Sequence, residues 1–383
     1  MSESYSGGTP SVGVKEYYGG QIPFIRSAEI NSEITELFLT EEGLKKSSAR
    51  LVAMGDILYA LYGATSGEVG RARLRGAINQ AILAINPHTG YDSEYLAQWL
   101  RKSKHSIIET YLQGGQGNLS GTIVKELLVD FPSLKEQRAI GDFFSQLDHL
   151  ITLHQRKYDK LQVLKKAMLE KMFPKNGSSV PEIRFKGFTD AWEQRKLGEI
   201  VERITRKNEN LESTLPLTIS AQYGLIDQNE FFDKRIASKD VSGYFLVKNG
   251  EFAYNKSTSS DAPWGAIKRL DRYESGVLST LYIVFKILDE RKTSSDYIVT
   301  YYNTDLWHKG IQAIAAEGAR NHGLLNVAPA DFFETNLTMP KDYAEQQQIG
   351  SFFQQLDHLI TLHQRELEKL QNIKKSMLEK MFV

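Results

Sequence analysis

The chain has 383 residues, more than one domain usually contains, so two or three globular units are expected. It has no cysteine, which excludes disulfide bonds and thiolate metal sites and favours a reducing compartment, the cytoplasm. Lys plus Arg equals Asp plus Glu at 47 each, so the chain lacks the basic excess typical of proteins that bind nucleic acid unaided. The first residues are polar, which argues against a signal peptide, and no run of about 18 apolar residues occurs, which argues against a membrane span.

Residues 1–135 form a first mixed module, in which strand-like runs alternate with loops and short helices. Gly55–Tyr59 and Gly76–Ile85 each read as a buried strand opened by glycine. Tyr95–Leu100 begins a helical stretch, and a last strand is expected to end at Phe131 and Pro132.

Residues 136–173 predict one long helix, because mostly apolar residues recur in alternating steps of four and three, which is a heptad pattern. We call this row of residues, which would face a partner helix, the seam. At 1.5 Å per residue the helix would be roughly 55 Å long, too long for an isolated surface helix and suited to pairing with another. The seam contains Phe144, Leu147, Ile151, His154 and Leu161.

A short polar linker, residues 174–182, is followed by a second mixed module over 183–344 and a second long helix over 345–383. In this module Gly250–Tyr254 and Gly276–Phe285 correspond to the two strands of the first, and Tyr297–Tyr302 begins the matching helix. The seam of the second long helix contains Phe353, Leu356, Ile360, His363 and Leu370.

The two long helices are copies of one another. Glu136–Phe173 and Glu345–Phe382 agree at about 28 of 38 positions, and both contain QLDHLITLHQR. Because the linker permits the chain to reverse, the copies can lie antiparallel. The predicted fold is therefore mixed α/β (α+β), with two similar modules separated by two long helices that form an antiparallel coiled coil.

Several motifs resemble the specificity subunits of type I restriction-modification systems. They are Gly7–Ser11 followed by Tyr18–Ser27, the repeated helix, and the segment Pro181–Arg203, which contains IRFKGF and WEQRKLGE and which we call the lead-in segment. The resemblance extends over nearly the whole chain.

The resemblance implies two target-recognition domains, each reading one half of a bipartite site in double-stranded DNA, joined by helices that fix the spacer. It implies partners, namely two methyltransferase subunits that dock on the helices and restriction subunits that translocate and cut DNA. S-adenosylmethionine, Mg²⁺ and ATP would be bound by those partners, and this chain would hold no cofactor and catalyse no reaction.

The two modules differ at their starts. The lead-in segment precedes the second module, whereas the first begins at Ser6–Pro10 without an equivalent. We therefore expect either a trimmed chain or a first module that is completed in some other way.

Base readout needs hydrogen-bond donors and acceptors on loops or helix ends that enter the major groove. Glycines in such loops let the backbone approach phosphate, and arginines at 71, 73 and 75 would share one face of a strand and form a phosphate stripe. The candidates in the first module are Arg26, Ser27, Tyr62, Thr65, Ser66, Arg71, Arg73, Gln113, Gln116 and Asn118.

The second module offers candidates in the same order along the chain. For each single residue, an ordinary role as a solvated loop side chain or turn former is an open alternative. The candidates are Ser220, Gln222, Tyr223, Asn255, Lys256, Ser257, Thr258, Lys268, Arg320, Asn321 and His322.

No catalytic or metal-binding motif stands out. His149 and His154 point about 140° apart on a helix, so a polar contact in the seam is favoured over metal ligation for His154 and His363. The sequence contains no helicase-type phosphate loop, HExxH or nucleophile elbow. The alternative function is a helical scaffold or protein-binding adaptor without sequence-specific DNA binding, which the neutral charge would suit.

Overall fold

The computed structural model describes residues 1–112, 118–175, 177–220, 223–234, 236–260, 262–315 and 323–382. The chain divides into two compact units. Unit 1 contains residues 1–156 and 363–383, and unit 2 contains residues 157–362. The division passes through the long helices, so each unit combines a mixed module with part of both helices, whereas the sequence divides modules from helices at positions 135 and 344. No described helix is long and apolar enough to cross a membrane.

Unit 1 is built around two four-stranded sheets. Its strands are β1 (Ser2–Ser6), β2 (Tyr18–Ile25), β3 (Phe38–Leu39), β4 (Arg50–Val52), β5 (Ile57–Ala60), β6 (Val69–Arg71), β7 (Gly76–Ile78) and β8 (Ile82–Pro87). Its helices are α1 (Glu41–Lys45), α2 (Ser93–Tyr111), α3 (Gly121–Lys125) and the first part of α4 (Leu134–Lys171). One sheet has the order β1-β8-β5-β6 and is antiparallel, and the other has the order β3-β2-β7-β4 with β2 parallel to β7.

Strand β5 shows why its sequence is continuously apolar. Its alternate residues point to opposite faces: Tyr59 packs with α2 residues such as Leu96, while Leu58 and Ala60 pack with residues of the second sheet. Unit 1 is therefore a three-layer arrangement in which the β1-β8-β5-β6 sheet lies between helix α2 and the second sheet.

Unit 2 repeats the first of these sheets, and its other described strands form three two-stranded sheets. Its strands are β9 (Glu193–Lys196), β10 (Val201–Ile204), β11 (Leu217–Ser220), β12 (Gly224–Asp227), β13 (Phe245–Lys248), β14 (Phe252–Asn255), β15 (Ala266–Arg269), β16 (Ser275–Leu278), β17 (Ile283–Ile287) and β18 (Asn336–Met339). Its helices are α5 (Gln228–Phe232), α6 (Ser295–Tyr301), α7 (His308–Ile314), α8 (Pro329–Phe333) and the first part of α9 (Tyr343–Met381). The sheet β10-β17-β14-β15 has the topology of β1-β8-β5-β6, and the two-stranded sheets are β11-β12, β13-β16 and β9-β18. In register, Tyr254 opposes Ile283 as Tyr59 opposes Leu83.

Two segments that were each predicted as one strand, Gly76–Ile85 and Gly276–Phe285, are interrupted by a turn. Gly76–Ile85 is not a single strand, because Asn79 starts a turn in which its side chain accepts a hydrogen bond from Ala81 N at 3.1 Å. Strands β7 and β8 on either side of the turn belong to different sheets. The same interruption occurs in the second module, where Ser279 turns the chain between β16 and β17. Strand β1 precedes the Ser6–Pro10 motif and pairs with β8 from Ser2 onwards.

The long helices run antiparallel within each unit, as predicted. In unit 1, Phe144 stacks on Phe382 at 5.9 Å between ring centroids, and Ile151 and Leu370 belong to the same apolar cluster. In unit 2, Phe173 lies 6.4 Å from Phe353, and Leu161 and Leu356 join that core. Both helices begin two residues before the predicted starts, at Leu134 and Tyr343. The antiparallel coiled-coil arrangement of the predicted fold is confirmed.

A buried glutamine joins each long helix to the short helix beside it. Gln137 Oε1 accepts from the backbone N–H of Asp92, which caps α2, and its Nε2 donates to Pro132 O. Gln346 makes the same two bonds in unit 2, with Ser294 N and Pro340 O. Because these amides are buried and bonded at both the oxygen and the nitrogen, they fix the position of each long helix against its module.

Candidate nucleic-acid interface

A pair of loops lies beyond the end of β5 in unit 1. Residues 61–67 contact residues 118–119, where Leu119 N donates to Leu61 O at 2.8 Å and Gly63 N donates to Asn118 Oδ1 at 3.3 Å. Gly63 has a φ of 72°, a left-handed conformation in which other residues are strained. We call these segments the loop pair of unit 1.

Unit 2 has an equivalent loop pair, formed by residues 256–260 and 323–325. Leu325 N donates to Lys256 O at 2.9 Å, which matches the Leu119 bond in unit 1. Thr258 donates to Gly323 O from both its backbone N–H and its hydroxyl, at 2.6 and 2.9 Å. The two loop pairs therefore share a backbone frame at the same end of equivalent strands.

The side chains on this frame differ between the units. Tyr62 and Asn118 are exposed and Thr65 is half-buried in unit 1, whereas Ser257 is exposed and Thr258 half-buried in unit 2. Ser66 is buried and donates to Leu61 O, so its hydroxyl shapes the loop. Exposed hydroxyl and amide groups on a fixed backbone are the chemistry that reads base edges.

Asn255 and Lys256 lie at the base of the unit 2 loop pair. Asn255 Oδ1 accepts from Ser257 N at 3.0 Å and so stabilises the turn. Lys256 Nζ lies 3.5 Å from Val327 O, and burial lowers the pKa of its ammonium group. Both side chains make hydrogen bonds within unit 2 that stabilise the backbone of the loop pair.

Six predicted residues lie outside the described residues, and the structure does not place them. They are Gln113, Gln116, Gln222, Arg320, Asn321 and His322.

The predicted phosphate stripe of three arginines on one strand is wrong. Strand β6 ends at Arg71, so Arg73 and Arg75 follow it in a connecting segment. Arg71 donates to Ser93 Oγ at 2.9 Å, beside Glu94.

Its equivalent in unit 2 is Arg269, which donates to Ser295 Oγ at 2.7 Å and to Asp296 at 2.8 Å. Arg71 thus connects the edge strand β6 to the first turn of α2, and Arg269 connects the edge strand β15 to the first turn of α6 in the same way.

Arg26 is held by two carboxylates, with Nη2 2.7 Å from Glu29 and 2.7 Å from Glu36. Burial alone would raise the pKa of Glu29, but hydrogen bonds from the Arg26 side chain and backbone and from Glu36 N lower it to about 2. Ser27 begins the short 3-10 helix that follows. These contacts stabilise the chain after β2.

The remaining second-module candidates occupy two different places. Ser220 is buried at the end of β11, and its Oγ accepts from Tyr223 N at 3.2 Å, while Tyr223 itself is exposed at the tip of the β11-β12 hairpin. Lys268 Nζ donates to Asn303 Oδ1 at 2.9 Å. Burial, reinforced by Lys165, lowers the pKa of Lys268.

A charged groove of about 1070 Å³ in unit 1 was not predicted as a whole. Its five lining cations all pair with carboxylates: Arg71 with Glu94, Arg73 and Arg156 with Glu33, and Arg101 and Lys374 with Asp148. A phosphate group would have to compete with these carboxylates. The carboxylates lie far along the sequence from the cations that they pair with. The sequence therefore drew attention to arginines of the groove and not to the ion pairs that they form.

The seam histidines contact each other. His154 Nδ1 lies 3.1 Å from His363 Nδ1 in unit 1, so one ring must donate the hydrogen bond and the other accept it. Within the described part of the chain, no three His, Asp or Glu side chains are arranged to hold a metal ion.

Comparison with known proteins adds family evidence to this geometry. Residues 1–163 match the family model described as type I restriction modification DNA specificity domain. The type I restriction enzyme MjaIX specificity subunit of Methanocaldococcus jannaschii is 30% identical over 215 residues, covering 52% of this chain and 50% of that protein. The MjaVIII specificity subunit of the same organism is 23% identical over 202 residues, covering 51% of this chain and 46% of that protein. The chain thus spans about half the length of the curated relatives it matches.

The fold comparison covers the full length. The crystal structure of the type I restriction-modification S subunit from M. genitalium matches all of this chain and 94% of its own, with a TM-score of 0.65 at 14% identity. At that identity the likeness shows the fold. The resemblance drawn from sequence motifs is confirmed: residues 1–163 match the model of the type I restriction modification DNA specificity domain, and the whole chain has the fold of an S subunit.

Proposed function

We propose that this chain is the DNA sequence-recognition subunit of a type I restriction-modification complex. Unit 1 and unit 2 each read one half of a bipartite target, and the long helices fix the length of the unread spacer. The family match over residues 1–163 and the S-subunit fold support this proposal.

The observation that carries the proposal is that unit 1 and unit 2 each have a loop pair with an equivalent backbone arrangement. Each unit holds its loops with the same backbone hydrogen bond, from Leu119 to Leu61 or from Leu325 to Lys256. The exposed side chains on the two frames differ. Two DNA-binding surfaces with the same backbone arrangement but different exposed side chains are suited to an asymmetric target. The side chains determine which bases are read, and the backbone determines where those side chains lie.

The chain binds and does not catalyse in this proposal. Two methyltransferase subunits contact the long helices and supply the S-adenosylmethionine site, and restriction subunits supply the ATP and Mg²⁺ chemistry. Phosphate binding comes in part from these partners, which accounts for the equal numbers of acidic and basic residues in the chain. The assembly works on DNA in the cytoplasm.

Residues of the loop pairs are the proposed base contacts. They are Tyr62, Thr65 and Asn118 in unit 1, Ser257 and Thr258 in unit 2, and Tyr223 at the hairpin tip. Gln113, Gln116, Arg320, Asn321 and His322 stay predictions of the same kind, since they precede residues 118–119 and 323–325 closely in the sequence.

The test is to express the chain with type I methyltransferase subunits and map adenine methylation in the host genome. We expect one asymmetric bipartite motif. Tyr62→Ala with Asn118→Ala should relax or change one half of the motif, and Ser257→Ala with Thr258→Ala should affect the other half.

The control is Val12→Ala, which alters an exposed side chain of unit 1 outside the loop pair and should leave the motif unchanged. Methylation without sequence preference, or a complex that forms without binding DNA, would favour the scaffold or adaptor function instead.

A further inference from the structure

The charged groove of unit 1 contains two arginines that share one carboxylate. Arg156 Nη2 donates to Glu33 Oε1 at 2.6 Å, and Arg73 Nη1 donates to the same oxygen at 2.9 Å. Arg73 follows β6 and Arg156 lies on α4, so folding brings the two arginines together from distant parts of the sequence. Two guanidinium groups that converge on one oxyanion have the arrangement that binds either a carboxylate or a phosphate group.

A single carboxylate does not neutralise both arginines. The hydrogen bond and charge of Arg156, followed by those of Arg73, lower the pKa of Glu33, so its carboxylate is charged at neutral pH. The three side chains together still carry a net positive charge. Among the described residues that line the groove there are five Lys or Arg and four Asp or Glu side chains, so the excess of positive charge would grow if Glu33 moved away.

The contact between Glu33 and the arginines can open without disturbing the core. The side chains of Glu33, Arg73 and Arg156 are 56%, 40% and 54% exposed. The residue after Glu33 in its loop, Ile34, is 78% exposed, so burial does not hold this part of the loop in place. Ion pairs as exposed as these contribute little to stability, and a phosphate group can replace the carboxylate at small cost.

The other shared carboxylate of the groove, Asp148, is held more firmly. Asp148 pairs with both Arg101 and Lys374, and it also accepts a hydrogen bond from Gln98 Nε2 at 3.0 Å. Gln98 is buried and the other three side chains are half-buried. Displacement of Asp148 would leave a buried amide without this partner, so Glu33 is the shared carboxylate that a phosphate group can displace.

The groove leads from the loop pair of unit 1 to the two arginines. Glu68, which lines the groove, directly follows residues 61–67 of the loop pair, and Arg71 at the end of β6 continues the lining towards Arg73. A DNA strand whose bases face the loop pair can therefore run its backbone along this groove. Because DNA carries a phosphate at every nucleotide, such a backbone brings one to Arg73 and Arg156.

We propose that Arg73 and Arg156 form a binding site for one phosphate group of double-stranded DNA and that Glu33 occupies this site until DNA displaces it. The inference rests on the proposed function and adds to it a site that reads no base. Glu33 competes with phosphate from within the chain and lowers the affinity for DNA of any sequence. The chain therefore dissociates more readily from DNA that offers no base contacts to the loop pairs.

The probe is a fluorescent duplex of about 30 base pairs with random sequence, titrated with the full chain and followed by anisotropy at about 50 to 200 mM salt. We expect Glu33→Gln to bind this duplex about fivefold or more tightly than the natural chain at the lowest salt, because a neutral amide competes less well with phosphate. Addition of Arg73→Ala and Arg156→Ala to Glu33→Gln should abolish the gain. It should also make the slope of log K against log salt concentration shallower by about 1, the value for one phosphate contact.

The control is Glu41→Gln, which removes an equal charge from an exposed position of α1 outside the groove and should leave the affinity unchanged. A gain that persists without Arg73 and Arg156 would show that the charge of Glu33 acts at a distance, and it would overturn the proposal. Equal binding by the natural chain and Glu33→Gln, including no binding by either, would overturn it as well. Thermal melts check that every variant is folded.

Methylation mapping separates this inference from the proposed function. In a complex with type I methyltransferase subunits, Glu33→Gln should leave the methylated motif unchanged, because the site binds the DNA backbone and not a base. A motif altered by Glu33→Gln would overturn the assignment of the site to phosphate. Methylation without any motif by the natural chain would instead contradict the proposed function, whereas the binding data would still decide whether Glu33 competes with phosphate.

Discussion

Gly350 illustrates how one small residue sets the distance between two helices. A Cβ atom at this position in α9 would lie 2.6 Å from Asp296 Cβ and 2.8 Å from Tyr297 N, at the start of α6. Backbone this close cannot yield without moving the helix. We expect Gly350→Ala to lower the free energy of unfolding by about 1–3 kcal/mol, measured by urea denaturation.

The matched control is Gly13→Ala, because a Cβ at Gly13 would meet no atom within 4 Å. Equal stability of the two variants would show that α9 and α6 are not held at this separation.

Glu29 gives unit 1 a contribution to stability that depends on pH. Its pKa falls from the ordinary 4.5 to about 2 in the folded chain, because the hydrogen bonds that favour the carboxylate outweigh its burial. A depressed pKa stabilises the fold above pH 4.5, and this stabilisation is lost as the pH falls from 4.5 towards 2.

Glu29→Gln should therefore be less stable than the natural chain by about 1 kcal/mol at pH 7, and the difference should shrink below pH 4.5. Urea denaturation at pH 7, 5, 4 and 3 measures this. Glu41→Gln serves as the control, and a difference that stays constant down to pH 3 would contradict the assignment.

At the residue scale, the sequence predicted the kinds of side chain at the interface better than their roles. Tyr62 and Ser257 are exposed on the loop pairs, as base contacts would need to be. Arg26 and Arg71 instead bind carboxylates or hydroxyls of their own unit. Their partners, such as Glu36 and Ser93, are brought near by folding, and nothing in the local pattern of the arginines points to them.

At the element scale, the long helices were predictable because a heptad seam is a local and repeated signal. The sheets were harder, because Gly76–Ile85 reads as one apolar run although its two halves join different sheets. Both faces of these strands are buried, so hydrophobicity does not reveal the turn at Asn79. The second module did not reveal the turn either, because Gly276–Phe285 is an apolar run interrupted in the same way at Ser279.

Two ion pairs follow from the helix repeat. Lys165 with Asp357 in unit 2 and Lys374 with Asp148 in unit 1 occupy equivalent positions of the two copies. Each connects α4 to α9 beside the apolar seam. Such pairs are expected to favour the antiparallel register more than to add large stability.

A double-mutant cycle with Lys165→Ala and Asp357→Ala tests this contact. We expect a coupling of about 0.5–1 kcal/mol in the free energy of unfolding, because the pair is half-buried. The exchanged pair, Lys165→Asp with Asp357→Lys, should recover most of the loss caused by either charge reversal alone. Additive single effects would show that the two side chains do not interact.

At the scale of the whole molecule, the proposed function treats the paired helices as a ruler between the two half-sites. Each heptad lengthens a helix by about 10.5 Å, close to three base pairs of B-DNA at 3.4 Å each. Inserting a heptad after Gln155 and another after Gln364 keeps the seam in register, because the neighbouring His154 and His363 face each other across the two helices. We expect methylation mapping to show the same two half-sites with a spacer about three base pairs longer.

A heptad inserted into one helix only is the control for this experiment. It shifts one seam past the other, so contacts such as that between His154 and His363 cannot form together with those at both helix ends. This variant should lose methylation rather than change its spacer. If the double insertion methylates at the original spacing, the distance between half-sites is set by something other than the helices, such as the methyltransferase subunits or the bending of the DNA.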